Sequence, residues 1–250
     1  MTPVEARALA ALAGRALAAA GQGDMVWGHV AVRDPQSRGV WIKEPGWGLE
    51  EVEADRVQLV SFTGEVLHGH GKPHKECWIH LELLRARPEL AASVHTHARA
   101  AVAFAALDVP LLPLSHEGAL FGGEDVPRFR TTGSLVATPE LGRALAKAVG
   151  RAPAALMPRH GLVAAGTSAP HAVMHAVLLA GACETQLAAA AAGRPRLWSD
   201  PAEARAKQRE CWPPAQLEAG WRYLLRRAVG PARAPASNPE TALALECFGE

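Results

Sequence analysis

The chain has 250 residues, 49% of them apolar, with a formal net charge of +1. That length and apolar share supply a sizeable buried core, while a near-neutral balance with Lys and Arg spread along the chain excludes nucleic acid or an anionic membrane as the main partner. The four cysteines, Cys77, Cys183, Cys211 and Cys247, form no C-x-x-C pair and follow no signal peptide, so they read as reduced thiols of a cytoplasmic protein.

Residues 3–20 carry small and apolar groups with Glu5, Arg7 and Arg15 interspersed, an amphipathic helix ending at Gly21. Residues 24–33 alternate as a strand, closed by the Asp34-Pro35 turn, and residues 39–43 are its partner. Gly46-Trp47-Gly48 is a loop whose glycines let backbone approach a ligand, with Trp47 available to stack on an aromatic substrate or to fill core. Residues 56–67 read as a hairpin around Thr63-Gly64. Pro73 suits the first turn of the next helix, whose stripe is Trp78, Ile79, Leu81, Leu83 and Leu84, and Pro88 marks its end.

Residues 90–96 form a short buried strand, and a helix over 98–107 follows. Residues 110–114 are apolar and extended, which makes the polar Ser115-His116-Glu117-Gly118 unusual in its setting. Residues 138–149 form a helix capped by Thr138, residues 154–157 and 162–165 are strands flanking Arg159-His160-Gly161, and a long helix over 168–192 is capped by Ser168. That helix contains the longest apolar run, but His175 and Glu184 interrupt it, so it reads as a buried helix and not as a membrane span. A last helix runs from Pro214 to Arg227, giving a catalytic domain over residues 1–228 and a Pro- and Ala-rich linker and tail over 229–250. The pattern predicts an α/β protein with a central mixed sheet covered by helices on both faces.

Chemistry concentrates between residues 73 and 97. His95 and His97 are two apart, so in a strand both imidazoles share one face and can supply half of a tetrahedral metal shell. Glu76 and His80 are four apart and share a face on a helix. His160 is the distant third imidazole. Neutral imidazoles with one acid nearby suit zinc, with manganese, iron or cobalt as alternatives. Other groups compete. His68 and His70 sit among glycines, a solvated loop; His171 and His175 have ligand spacing but no following Glu, a packing or subunit-contact pattern; Lys75 suits anion pairing better than a Schiff base. His116 with Glu117 is an open choice between a catalytic and a structural pair.

Taken together, Gly28-His29-Val30-Ala31-Val32-Arg33, Glu76 to His80, His95-Thr96-His97 and Arg159-His160-Gly161 resemble the class II aldolase and adducin family over about residues 5–225. The resemblance implies a three-layer α/β/α domain with a largely antiparallel sheet and a homotetramer with sites at subunit interfaces. It also implies a metal on His95, His97 and His160, and Glu76 as proton shuttle. Where sugar-phosphate aldolases of the family carry small hydroxyl and amide groups that cradle phosphate, this chain has His29, Lys43, His74 and Lys75. That substitution points to a carboxylate substrate held by these four residues, and the His74-Lys75-Glu76 variant resembles the branch containing 3,4-dihydroxyphthalate decarboxylases of aromatic compound degradation. The expected enzyme is a metal-dependent carbon–carbon lyase. Glu76, with its pKa raised by apolar neighbours, and His116, from a neighbouring subunit or its own, are the proton donors. The chain's one tyrosine, Tyr223, is too distant to serve. Alternatives are an aldolase or epimerase acting on a sugar phosphate or hydroxy-keto acid, and a non-enzymatic adducin-like module.

Overall fold

A computed structural model describes residues 1–229, so the expected linker and tail lie, from residue 230 on, outside the described residues. Helix α1 (Pro3–Leu17) opens on a capping box: Thr2 Oγ1 accepts from the Glu5 amide at 3.3 Å and the Glu5 carboxylate accepts from the Thr2 amide at 2.7 Å. The helix runs on into a π-type turn, Ala18–Gln22, which leaves helical geometry at Gly21, where φ is +78°. Gln22 is buried there and joins two layers, donating to Ala176 O at 3.1 Å and accepting from Thr96 Oγ1 at 2.7 Å.

Seven strands follow among the described residues: β1 (His29–Arg33), β2 (Gly39–Lys43), β3 (Val57–Ser61), β4 (Val66–His68), β5 (Ala92–Thr96), β6 (Ala154–Met157) and β7 (Gly161–Gly166). They form one sheet in the order β4-β3-β2-β1-β5-β7-β6. Every pairing of these strands is antiparallel, and parallel contact is confined to one bridge between Arg128 and Leu156, so the sheet is less mixed than the sequence pattern predicts. β1 begins at His29 and not at Asp24, because Met25 and Gly28 take φ of +47° and +73° and break the extended run.

The helices are α2 (Cys77–Ala86), α3 (Arg99–Ala106), α4 (His116–Ala119), α5 (Pro139–Val149), α6 (Ala169–Ala192), α7 (Pro201–Cys211) and α8 (Pro214–Val229). Strand alternation splits the core in two. Val30, Val32, Val94 and Leu162 face α1, α3, α6 and α8, while Ala31, Ile42, Val163 and Ala165 face α2 and α5. The result is the expected three-layer α/β/α arrangement. α6 is long and apolar enough to cross a membrane, but Ala172, Val173, Ala176 and Leu179 on it are buried in the first of these cores.

Three local expectations change. α2 begins at Cys77, four residues after Pro73, and Glu76 becomes its N-cap residue with φ −95° and ψ 20°. The polar stretch at 115–118, given no element in the sequence pattern, opens a helix: Ser115 caps the short α4 by accepting from the Gly118 amide at 3.3 Å. α7 has no counterpart in the sequence reading, since only Ala204 of it is buried and there is no apolar stripe to see. Its signal was the N-terminal pair Asp200-Pro201, with Asp200 Oδ1 accepting from the amides of Ala202 and Glu203 at 2.8 Å.

Candidate metal centre and its cleft

The register places the central residues. In the β1/β5 pairing His29 lies opposite His95 and Ala31 opposite Ser93. Period-2 alternation then puts Ser93 and His95 on the α2 face of the sheet. His97 continues just past the strand. His160 ends the β6/β7 connection, where Arg159 takes a left-handed φ of +67°. Gly161 follows because a Cβ there would stand 2.3 Å from Thr96 O. That close approach brings β7 against β5 at the ligand end.

Glu76, His95, His97 and His160 present one ligand atom each, all within 4.8 Å of one another. His95 Nε2 lies 3.1 Å from His97 Nε2 and 3.9 Å from Glu76 Oε2, and His160 Nε2 lies 3.5 Å from Glu76 Oε1. A tetrahedron with bonds of about 2.1 Å has edges of about 3.4 Å, so these separations fit one cation.

The donors' other atoms say the same. His95 Nδ1 bonds Leu162 O at 2.9 Å, and His97 Nδ1 bonds Asp24 Oδ2 at 2.9 Å. Both acceptors require an N–H at Nδ1, which leaves two Nε2 lone pairs facing each other across 3.1 Å. A proton or a metal must lie between them. Asp24 reaches this position because Gln22 anchors the chain beside Thr96. Asp24→Asn will therefore keep the fold and lower metal affinity about 10–100-fold, measurable by competition with a chromophoric chelator.

Electrostatics correct one expectation. Burial alone would raise the Glu76 carboxyl, but its bond to His160, then its electrostatic coupling to the His95 ring and the bond from the Val136 amide, outweigh it and bring the pKa down to about 2. The Val136 amide donates to Glu76 Oε1 at 2.8 Å. Glu76 is thus a carboxylate in this state, not the protonated acid expected from apolar neighbours. His95 is held neutral, its pKa lowered well below the ordinary imidazole value chiefly by burial.

His80 does not join the ligands. Glu76 precedes α2, so the two do not share a helix face; His80 instead bonds His29 Nδ1 through Nε2 and Ser93 Oγ through Nδ1, each at 2.7 Å. Burial lowers both His29 and His80, the latter to about 3. His74 packs edge-on to His29 with centroids 4.3 Å apart and is lowered to about 4, again chiefly by burial.

Beside the cluster opens a cleft of about 360 Å³. His29, His74, Glu76, His97 and His160 line it, joined by Trp27, Gly133, Ser134, Leu135 and Arg159. Of the four expected substrate-binding residues, His29 and His74 are there and two are not. Lys43 is buried, and its ammonium donates to Val26 O and Trp47 O at 2.8 Å each; it braces two loops and its pKa falls to about 8, chiefly through burial. Lys75 is exposed outside the cleft.

Trp47 does not line the cleft either; it stacks under the Arg56 guanidinium at 4.6 Å. Trp27 and Arg159 are the residues that sequence reasoning missed. Arg159 could have been found as the cation adjoining a ligand, Trp27 only from the turn that positive φ values at Met25 and Gly28 create. His116 is exposed on α4, outside the cleft, and its carbonyl accepts from Trp212 Nε1 at 2.7 Å. His68 and His70 are exposed, but only His70 lies in the expected loop; His68 ends β4 and packs edge-on to Trp41 with centroids 5.6 Å apart. His175 bonds Ala165 O at 2.7 Å and His171 bonds Thr167 at 3.3 Å, a packing pair and not a ligand pair.

Comparison with known proteins follows the same lines. The model of the class II aldolase and adducin N-terminal domain matches residues 8–187. An L-fuculose 1-phosphate aldolase from Glaciozyma antarctica PI12 is similar with TM-score 0.80 and 25% identity, covering 91% of this chain and 89% of that one. An aldolase II superfamily protein from Pseudomonas syringae gives TM-score 0.81 and 25% identity, covering 91% and 93%. YgbL from Klebsiella pneumoniae, described as a putative aldolase/epimerase/decarboxylase, shares the fold with TM-score 0.68 and 24% identity over 82% of this chain and 99% of that one.

Proposed function

Because this chain belongs to the class II aldolase and adducin family, we propose that it is a metal-dependent carbon–carbon lyase that decarboxylates a dihydroxylated aromatic dicarboxylic acid of the 3,4-dihydroxyphthalate type. The observation that carries the reading is the cleft's lining: an exposed indole, two neutral imidazoles and a guanidinium beside a cluster of three histidines and one glutamate. His95, His97 and His160 would hold the metal, with Glu76 completing the shell until substrate arrives; the donors suit zinc, with manganese, iron or cobalt using the same set. When bound, that ion would supply a Lewis acid for the negative charge that develops on the substrate.

The chain's own residues do the rest. Trp27, 48% exposed at the mouth, offers a flat face for a ring. Arg159 pairs with the carboxylate that is retained. Glu76, ionised, takes the proton of a substrate hydroxyl. As the bond to the departing carboxylate breaks and carbon dioxide leaves, the electron pair stays on the ring carbon, and Glu76 returns its proton there. Water reprotonates the phenolate. His116 remains a second donor only if a neighbouring copy presents it, in a homo-oligomer that is tetrameric by family resemblance.

Incubating zinc-loaded protein with 3,4-dihydroxyphthalate and, separately, with L-fuculose 1-phosphate tests the reading: carbon dioxide from the first supports it. Aldehyde from the second with no carbon dioxide from the first replaces it by the aldolase reading, which the Glaciozyma enzyme's likeness favours. Trp27→Ala will raise KM about 2–13-fold, the worth of one aromatic contact of about 0.5–1.5 kcal/mol, and leave kcat within about 2-fold.

A further inference from the structure

Beneath the cleft floor lies a run of polar groups that metal binding does not require. Ser93 Oγ bonds His80 Nδ1 at 2.7 Å, and His80 Nε2 bonds His29 Nδ1 at 2.7 Å. Ser93 and His80 are fully buried and His29 nearly so. His29 Nε2 has no hydrogen-bond partner among the described residues, and the ring lines the cleft.

We propose that Ser93, His80 and His29 form a one-way hydrogen-bond chain that fixes His29 as its Nε2–H tautomer, a permanent donor in the cleft that selects substrates presenting a carboxylate oxygen there. The direction follows from counting hydrogens. A buried hydroxyl carries one hydrogen that needs an acceptor, and the sole hydrogen-bonding partner of Ser93 Oγ among the described residues is His80 Nδ1. Ser93 therefore donates, and His80 Nδ1 accepts. The neutral His80 ring then carries its hydrogen on Nε2 and donates to His29 Nδ1. His29 is left with its hydrogen on Nε2, directed to the cleft. Reversing the chain would strand the Ser93 hydrogen in a dry interior.

The register supports the assignment. Ser93 and His95 share a sheet face, and His29 sits opposite His95 with ring centroids 5.2 Å apart. The donor is therefore held beside the metal cluster on backbone that the sheet makes rigid. A site built around a fixed N–H accepts a carboxylate oxygen and rejects a group that can only donate. Ser93 and His80 are positioning residues; His29 touches substrate. The substrate preference rests on the decarboxylase reading, whereas the tautomer does not.

Long-range ¹H–¹⁵N spectra of zinc-loaded protein read the tautomer directly. The expected result is a neutral His29 protonated at Nε2 and bare at Nδ1. Ser93→Ala, which removes the terminal donor, should give a mixture of both tautomers, and Ser93→Thr, which restores a hydroxyl, should recover the single one. A His29 ring protonated at Nδ1 in the unmodified protein overturns the proposal without any variant.

Binding by calorimetry tests the selectivity. Zinc-loaded protein should bind 3,4-dihydroxybenzoate at least 10-fold more tightly than catechol. His29→Asn keeps an amide where Nδ1 stands and removes the outer donor, so it should cut that ratio about 5-fold or more. An unchanged ratio overturns the donor role. An Nε2–H tautomer with no carbon dioxide from 3,4-dihydroxyphthalate would leave the chain standing and remove the decarboxylase reading alone.

Discussion

His95→Ala will lose bound metal and turnover together, whereas Glu76→Gln will keep the metal and lose turnover. His95 sits at the centre of the cluster, 3.1 Å from His97 Nε2 and 3.9 Å from Glu76 Oε2, with Leu162 O orienting its ring. An apparent binding energy of about 10–16 kcal/mol shared by three histidines is about 3–5 kcal/mol for each, so removing one lowers affinity by a factor of at least about 200. Glutamine in place of Glu76 still fills the space and still accepts from the Val136 amide, but it cannot take and return a proton. Its expected loss in kcat is about 100–10,000-fold. Metal analysis and kinetics on the two purified variants separate the roles. Full metal content in His95→Ala would remove it from the ligand set, and full turnover in Glu76→Gln would end the proton shuttle.

The metal-free protein will unfold steeply in mild acid. His29, His74, His80 and His95 all have folded pKa values below 6.5, with His74 at about 4 and His80 at about 3. Their contribution to stability is present above 6.5 and is lost as pH falls through the window between 6.5 and each lowered value, because the unfolded chain takes up protons the folded one refuses. Each such proton contributes a slope of about 1.4 kcal/mol per pH unit, so four give up to about 5 kcal/mol per unit near pH 5. Glu76, at about 2, adds in the same direction below 4.5. Urea denaturation between pH 7 and 4.5 measures the slope. Uptake of fewer than one proton on unfolding at pH 5 would mean that these imidazoles are already charged in the folded protein.

The sheet was readable because β1, β2, β5, β6 and β7 are short, mostly apolar runs bounded by turn residues, buried on both faces, and His95-Thr96-His97 can place two imidazoles together only from an extended chain. The start of α2 was not. Pro73 is a good first-turn residue, but Glu76 is needed as a metal-cluster carboxylate bonded to Val136, and it holds the chain out of the helix until Cys77. The same displacement misled the Glu76–His80 pairing, which presumed one helix face for two residues that serve different neighbours. Trp27 and Trp47 look alike along the chain, and only tertiary packing places one in the cleft and the other under Arg56. Lys43 reads as an anion binder until two loop carbonyls are seen to occupy its ammonium.

X-ray absorption at the metal edge of protein loaded with one zinc ion per chain tests the centre most directly. Three imidazole nitrogens at about 2.0–2.1 Å, dropping to two in His160→Ala, are the expected result. A first shell of water and carboxylate oxygen alone, unchanged by that substitution, would mean that the side chains at 95, 97 and 160 gather for some other purpose.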